Sequence, residues 1–349
     1  MKYNQKKIID FVHVGDYKTG TSWLQESIFP FHPEIQYLGG YFKKNELKEV
    51  LIELVDIRDL DFNSKKLRKK FNDNFTPNNN KICGISREAL SQSNYIVGEN
   101  AERNAKRIKK VFGEVKIIYV IREQISMLSS IYSQYLKMGG TRNFYDWFLD
   151  PIECRGIIER LKYDKNIKMY QKIFGKENVL VLVYEELLED KRKFLEKLYR
   201  FIGCQNINFE PKESKQVINP SLTTHGALIL RTLQKLFRNS YHNYRSAFLN
   251  LDKMIYFFLS KKTIDKIDKN TEKTIIPNYK TIDKKQRVLF YINMTMSEKL
   301  TKFCEKIKTG KKIQVPVDLV PQIIPLFKDT NNILNKKYDL KIDKYHWHI

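Results

Sequence analysis

The chain has 349 residues, of which 42% are hydrophobic and 13% aromatic, a composition typical of a globular protein with a sizeable core. Glycine and proline are scarce, at 14 and 10 residues, which excludes collagen-like and linker-like chains. The formal net charge of +23 predicts attraction to an anionic partner, whether nucleic acid, phospholipid, nucleotide or acidic glycan.

Strand and helix patterns alternate through the first two hundred residues. Short runs rich in Val and Ile predict buried strands over residues 8–14, 81–86, 115–121 and 179–184. Between them, apolar residues at three- and four-residue spacing predict helices, such as 101–112 and 194–202, and a glycine follows each of these two. This alternation predicts an α/β fold in which helices flank both faces of a central, mostly parallel sheet.

The other segments complete one predicted domain over residues 1–349. The polar tract 61–81 predicts an exposed excursion between two strands. After Pro220 the pattern becomes helical, and a helical, lysine-rich C-terminal elaboration is predicted at about 230–330. Within it, 261–286 is predicted to be a polar connection.

The loop after the first predicted strand has a phosphate-binding pattern. Residues 15–22, GDYKTGTS, combine glycines, a lysine and hydroxyl side chains, and a helical pattern with Leu24 and Ile28 follows. Backbone N–H groups and the helix dipole favour an anion at such a turn; the alternative is a plain turn in which a Ser or Thr caps the helix. Because Lys18 precedes Gly20, this is not the GxxxxGK[ST] loop that binds ATP or GTP.

A second cation is predicted at the same edge of the sheet. Arg122 ends the third predicted strand, and Ser130 follows eight residues later on a helix that starts near Gln124. An arginine and a hydroxyl so placed can hold a second phosphate between them.

Together these features resemble the sulfotransferases that use 3′-phosphoadenosine 5′-phosphosulfate (PAPS), and in particular bacterial carbohydrate-type members. The segment 13–25, HVGDYKTGTSWLQ, is similar to the family's loop for the 5′-phosphosulfate, and the Arg122–Ser130 pair matches its 3′-phosphate motif. Segment 179–186, the NPS run at 219–221 and the tail 330–345 resemble further family segments. The resemblance implies a P-loop-like, three-layer fold and these nucleotide-binding residues: Lys18, Thr19, Gly20, Thr21, Ser22, Arg122, Ser130, Tyr184 and Ser221.

The resemblance also implies a mechanism. Sulfuryl transfer needs positioning and charge stabilisation more than covalent help from the protein. Lys18 is expected to stabilise charge on the leaving nucleotide, and a base must receive the acceptor's proton. Glu88 follows the second predicted strand, Glu34 lies in a segment that resembles the one carrying a catalytic Glu in heparan-type members, and His13 is a third candidate. The sequence leaves the choice open.

Cysteine usage and the apolar runs bear on metals and location. The four cysteines lie far apart with no CxxC pair, so no zinc site, no other metal and no disulfide framework is expected. Asp10, His13 and Asp16 interrupt the N-terminal apolar run, and the longest later run, 254–259, is far shorter than a membrane span. A soluble, cytoplasmic protein is therefore predicted.

The expected function is transfer of a sulfuryl group from PAPS to a hydroxyl or amine, leaving adenosine 3′,5′-bisphosphate. The predicted acceptor is a carbohydrate or glycan, and the basic surface suits an acidic saccharide. Two alternatives remain: a P-loop nucleotide kinase, and a basic nucleic-acid-binding protein. The first conflicts with the Lys–Gly order, and the second leaves the sheet-edge residues unexplained and has no recognisable reading motif, so no nucleic-acid partner is expected.

Overall fold

The computed structural model describes residues 9–39, 47–91, 100–210, 222–236, 258–272 and 283–348. These residues fall into two compact units. The first is drawn from Met1–Met127, Asp150–Ile218 and Val317–Ile349, and the second from Leu128–Leu149 and Asn219–Pro316. The predicted single domain over 1–349 remains a prediction.

The described part of the first unit contains one sheet of five parallel strands in the order β2-β3-β1-β4-β5. The strands are β1 Phe11–His13, β2 Ile35–Tyr37, β3 Ile82–Ser86, β4 Lys116–Ile121 and β5 Val179–Val183. The predicted α/β fold with a mostly parallel sheet is confirmed. β2 was not predicted, because Ile35–Tyr37 follows a polar turn and lies in no longer apolar run of the kind that contains β1.

Helices connect the strands and continue beyond β5. They are α1 Thr21–Trp23, which runs on into a π-helical turn over Leu24–Ile28, α2 Leu47–Asp56, α3 Ser64–Asn74, α4 Asn100–Phe112, α5 Gln124–Lys137, α6 Phe144–Phe148, α7 Pro151–Arg160, α8 Tyr163–Phe174, α9 Tyr184–Glu189, α10 Lys191–Ile202, α11 Thr224–Leu236, α12 Lys261–Glu272, α13 Lys284–Glu305, α14 Val320–Ile323 and α15 Lys328–Lys336. No helix formed by the described residues is long and apolar enough to cross a membrane.

Alternate residues of β4 show how the sheet is covered on both faces. Ile118 and Val120 belong to a buried apolar cluster that includes Phe194 of α10. Tyr119, between them, points to the opposite face, where its ring lies 5.6 Å from that of Tyr170 on α8. Side chains alternate across a strand, so the sheet is buried between two helical layers.

One close approach fixes the alignment of β1 with β3. Phe11 pairs with Gly84 across the two strands, and its ring occupies the space above that glycine. A Cβ atom at position 84 would lie 2.0 Å from the Phe11 ring. Gly84 is therefore required at this position for the two strands to pair as they do.

Two polar tracts contain helices that the sequence analysis did not predict. The tract 61–81 was expected to be an exposed excursion, but α3 forms within it and buries Leu67 and Phe71. The segment 261–286 was expected to be a polar connection, but it begins with α12, whose Asp268 pairs with Arg287 of α13 at 2.7 Å. In both tracts, tertiary contacts of a few side chains stabilise a helix that the polar composition alone does not predict.

Candidate active site

Because all five strands are parallel, the loops that follow them meet at one edge of the sheet, where ligands of such folds bind. The loops after β1, β3, β4 and β5 carry, in order, Lys18, Glu88, Arg122 and Tyr184. The structure therefore brings together four of the residues that the sequence predicted.

The loop between β1 and α1 has an unusual backbone at two positions. Lys18 has φ of 66° and Gly20 has φ of 81°, both in the left-handed region. A lysine rarely adopts this conformation, and such backbone strain is concentrated at functional sites. At Gly20 a side chain would also clash, since a Cβ atom would lie 2.9 Å from Cδ2 of Leu187 on α9. The loop thus packs tightly against the segment that follows β5.

Side-chain hydroxyls hold this loop in shape from inside. Thr19 donates a hydrogen bond to the carbonyl oxygen of Asp16 at 2.6 Å, and Thr21 donates to the same oxygen at 3.1 Å. Both threonines are buried, whereas Ser22 is half-buried. The N-cap residue of α1 is Gly20, which has no side chain to accept a hydrogen bond from the first helical turn. The first-turn N–H groups, which have no intrahelical partner, are therefore the loop's natural anion donors.

Arg122 bridges two of these loops. Its Nη1 donates to the carbonyl oxygen of Lys18 at 2.9 Å, and its Nε donates to the hydroxyl of Ser126 at 2.8 Å. The guanidinium carbon lies 4.7 Å from the centre of the Tyr184 ring, a distance typical of a cation–π contact. These contacts place a permanent positive charge beside the first loop.

The other residues that were predicted to bind the nucleotide lie at the following places. Tyr184 begins α9 directly after β5, at the same edge as Lys18. Ser130 lies on α5, in the part of that helix assigned to the second unit, and it is half-buried. Ser221 lies outside the described residues.

Glu88 opens a short 3-10 turn, Glu88–Leu90, just after β3. Burial raises the pKa of its carboxyl above the usual value, and this effect outweighs a hydrogen bond from Gln25 and the charges of Lys18 and Arg87, which lower the pKa. The carboxyl is thus close enough to Lys18 for the two charges to interact. A carboxyl with a raised pKa is suited to receiving a proton.

Two contacts tie the Glu88 turn to the first loop. The backbone N–H of Arg87 donates to the carbonyl oxygen of His13 at 3.1 Å. The Ser91 hydroxyl lies 2.8 Å from the carbonyl oxygen of Gly15 and 2.9 Å from that of Glu88. The turn that carries Glu88 is therefore held against the loop that carries Lys18.

His13 is fully buried under this site. Its Nδ1 lies 2.7 Å from the Ser86 hydroxyl, which also accepts a hydrogen bond of 2.9 Å from Nε2 of Gln25. Burial lowers the pKa of His13 to about 3. The imidazole thus contacts Ser86, Ser86 contacts Gln25, and Gln25 in turn contacts Glu88.

Glu34 lies at the other edge of the sheet. It immediately precedes β2, and its carbonyl oxygen accepts a hydrogen bond of 2.8 Å from the N–H of Ile82, at the start of β3. Its carboxylate accepts hydrogen bonds from the N–H groups of Gln205 at 2.7 Å and Asn206 at 2.8 Å, and these bonds lower its pKa. The structure thus separates Glu34 from the Lys18 loop.

Gln25 and Ser91 were not predicted; they support Glu88 from the π-helical turn that follows α1 and from the end of the Glu88 turn itself. Gln25 lies four residues after Thr21, one helical turn into the helix that the loop opens, and that spacing was the available signal. Among the described residues, no three His, Cys, Asp or Glu side chains are grouped as metal ligands.

Comparison with known proteins points to one family. A family model described as "Sulfotransferase domain" matches residues 9–222. A 3-alpha-hydroxysteroid sulfotransferase of Cavia porcellus is 30% identical over 114 residues, which are 31% of this chain and 37% of that protein. The match thus spans little more than a third of that relative's length.

Solved structures give weaker likenesses. A sulfotransferase from Alicyclobacillus acidocaldarius has 19% identity, covers 60% of this chain and 86% of its own, and gives a TM-score of 0.44. The sulfotransferase domain of the Synechococcus PCC 7002 olefin synthase has 13% identity, with 93% and 94% covered and a TM-score of 0.38. A mouse sulfotransferase complexed with PAP has 18% identity, with 86% and 94% covered and a TM-score of 0.35.

Proposed function

The chain belongs to the sulfotransferase domain family, and on that premise we propose that it transfers a sulfuryl group from PAPS to a hydroxyl or amine of an acceptor. One observation carries the proposal: the Lys18 loop, the Arg122 guanidinium and the Glu88 carboxyl lie at the carboxyl edge of one parallel sheet. The family uses PAPS as its sulfuryl donor.

The residues at this edge fit a nucleotide with two anionic groups. The Lys18 loop and the start of α1 offer backbone N–H donors for one of them, with Thr19 and Thr21 shaping the loop and Ser22 near its exposed side. Arg122, with Ser130 as the predicted second contact, offers a charged donor for the other. The Tyr184 ring supplies an aromatic surface beside that guanidinium.

When bound, PAPS supplies the sulfuryl group, and adenosine 3′,5′-bisphosphate is left once that group has been transferred. Lys18 provides positive charge where negative charge develops on the leaving oxygen. Glu88 receives the proton of the acceptor hydroxyl or amine, since its raised pKa makes it a better base than an ordinary carboxylate. Gln25 and the Lys18 charge oppose this rise in the pKa and so favour the carboxylate form.

An acidic saccharide is the acceptor class that we include in the proposal. The formal net charge of +23 supports it, because net positive charge attracts polyanions and accelerates their encounter. The related guinea-pig protein is named for a hydroxysteroid instead. Turnover with an acidic oligosaccharide, its neutral counterpart and a hydroxysteroid should favour the acidic one, and that advantage should shrink as ionic strength rises.

Cytoplasmic location is likewise part of the proposal. Among the described residues, Cys83, Cys204 and Cys304 are buried free thiols, as is usual in a reducing compartment. Fractionation of cells that express the tagged protein tests this, and recovery from an oxidising compartment would contradict it.

Calorimetry tests the nucleotide assignment directly. We expect adenosine 3′,5′-bisphosphate to bind far more tightly than ATP, adenosine 5′-phosphate or a single-stranded oligonucleotide. Transfer of labelled sulfate from PAPS to an acceptor panel then tests the activity. Tightest binding of ATP would favour a kinase, and tightest binding of the oligonucleotide would favour a nucleic-acid-binding protein.

A further inference from the structure

We infer that the segment 328–348 and Tyr163 position Arg122, and so set how strongly this protein distinguishes a nucleotide with a 3′-phosphate from one without. Tyr163 and this segment are positioning residues, because they reach the nucleotide through Arg122. The inference rests on the proposed function, in which Arg122 contacts the 3′-phosphate.

Three consecutive residues at the junction of β4 and α5 are each held by a distant residue. The carbonyl oxygen of Arg122 accepts a hydrogen bond of 2.8 Å from the Tyr163 hydroxyl. The N–H of the next residue, Glu123, donates to Glu185 Oε1 at 3.1 Å. Nε2 of Gln124 then donates to Oδ1 of an asparagine on α15, Asn331, at 2.6 Å.

The segment 328–348 takes part in each of these restraints. Asn331 also donates from Nδ2 to Gln124 Oε1 at 3.2 Å and to the carbonyl oxygen of His348 at 2.7 Å. Trp347 Nε1 donates to Glu185 Oε2 at 3.3 Å, so the same carboxylate joins Trp347 to the N–H of residue 123. The Trp347 ring lies 6.1 Å from that of Tyr163.

These contacts are buried, which makes them effective restraints. Gln124 and Asn331 are each 1% exposed, Tyr163 is 0% exposed and Trp347 is 4% exposed. A buried polar group that loses its partner costs more than the hydrogen bond itself is worth. The junction therefore has one favoured backbone conformation.

The fixed backbone matters because an arginine side chain has many rotamers. A free guanidinium would lose much of that freedom on gripping a phosphate, and this loss weakens binding. In this protein the backbone of Arg122 is fixed by Tyr163, and its guanidinium is already seated on the Lys18 carbonyl and the Tyr184 ring. The geometry prepares the cation before the nucleotide arrives.

The test compares two conservative variants with a matched control. Tyr163→Phe removes only the hydroxyl that donates to Arg122, and Trp347→Phe removes only the indole donor and part of the ring. Tyr170→Phe is the control, because Tyr170 lies on the same helix, is fully buried, and its hydroxyl has no hydrogen-bond partner among the described residues. Affinities for adenosine 3′,5′-bisphosphate and adenosine 5′-phosphate are measured on each folded protein by calorimetry.

We expect Tyr163→Phe and Trp347→Phe each to weaken the binding of adenosine 3′,5′-bisphosphate roughly three- to tenfold, which is the usual effect of one hydrogen bond. The affinity for adenosine 5′-phosphate should stay unchanged. Tyr170→Phe should leave both affinities, and their ratio, at the wild-type values. A general loss of stability would weaken the binding of both nucleotides together and leave the ratio of their affinities unchanged.

Wild-type ratios in both folded variants would overturn this inference while leaving the proposed function intact. Equal affinity of the wild-type protein for the two nucleotides would overturn the 3′-phosphate assignment, and this inference with it. That result is seen before any variant is made, so the two failures are distinguishable. Should Trp347→Phe not fold, Tyr163→Phe alone decides between the outcomes.

Discussion

Replacing Glu88 with glutamine is the most direct test of the proposed base. Glutamine has nearly the same shape and keeps an oxygen that can accept the Gln25 hydrogen bond, but it cannot take up a proton. A positioned general base typically contributes about 10²–10⁴ in rate, and 10²–10⁴ corresponds to roughly 2.7–5.5 kcal/mol of transition-state stabilisation. We therefore expect kcat to fall by about 10²–10⁴, with the Kd of adenosine 3′,5′-bisphosphate little changed.

The same variant should be more stable than the wild type at neutral pH. Burial raises the pKa of Glu88 in the folded protein, so ionisation of this carboxyl opposes folding. The penalty is fully present above the folded pKa and absent below the pKa of an unfolded glutamate, about 4.3. The Tm of Glu88→Gln should exceed that of the wild type at pH 7, and the difference should vanish as the pH falls below about 4.

Glu34→Gln is the matched control, since it makes the same chemical change at the other edge of the sheet. It removes a carboxylate that accepts hydrogen bonds from Gln205 and Asn206 and whose pKa is lowered by them. The stability it contributes is present above the unfolded pKa and is lost as the pH falls through the folded pKa. Because this carboxylate is partly exposed and solvent screens its charge, the loss should be below about 1 kcal/mol, with kcat unchanged.

Steady-state kinetics at pH 7 and thermal melts from about pH 3 to 9 measure both effects. Near-normal kcat in a folded Glu88→Gln protein would refute the assignment of the base. A large loss of kcat in Glu34→Gln alone would move the role to Glu34. A lower Tm for Glu88→Gln at pH 7 would refute the reasoning from burial.

The remaining predictions concern the cations and the pH profile. Lys18→Ala should lower kcat by roughly a hundredfold or more with the fold intact, as loss of a preorganised charge contact does, and near-normal turnover would remove the loop from the mechanism. Arg122→Ala should erase most of the preference for adenosine 3′,5′-bisphosphate over adenosine 5′-phosphate in calorimetry, and an unchanged preference would contradict the 3′-phosphate assignment. Gln25→Leu removes a hydrogen bond that lowers the pKa of Glu88, so the acid limb of the kcat–pH profile should move to higher pH. An acid limb that stays at the same pH would show that it reports the titration of a group other than Glu88.

Local sequence patterns predicted much of this fold. The runs that became β1, β3, β4 and β5 are strongly apolar, so their strands could be placed to within a few residues. The helix predicted at 101–112 forms over Asn100–Phe112, with Gly113 at a φ of 77° after it. The resemblance to sulfotransferases is confirmed by the family match over residues 9–222.

The site was predicted less completely, for a physical reason. Lys18 and Arg122 follow strands, so parallel topology alone brings them to one edge. Glu34 also lies beside a strand, but it precedes β2, whose residues IQY lie in no longer apolar run from which a strand could be predicted. Two partners of the Arg122 junction are distant along the chain: Tyr163 lies 41 residues from Arg122, and Asn331 lies 207 residues from Gln124. Tertiary packing alone joins them to it.

The Phe11–Gly84 contact also bears on how the chain finds its sheet. The two strands are separated by 73 residues, and parallel pairing over such a distance is intrinsically slow. A slip of one position would set the Phe11 ring against the side chain of Cys83 or Ile85, each of which has the Cβ atom that position 84 lacks. The absence of a side chain at position 84 thus favours this alignment, because it leaves room for the Phe11 ring, and the same alignment carries the Lys18 loop and the Glu88 turn to the same level at the end of the sheet.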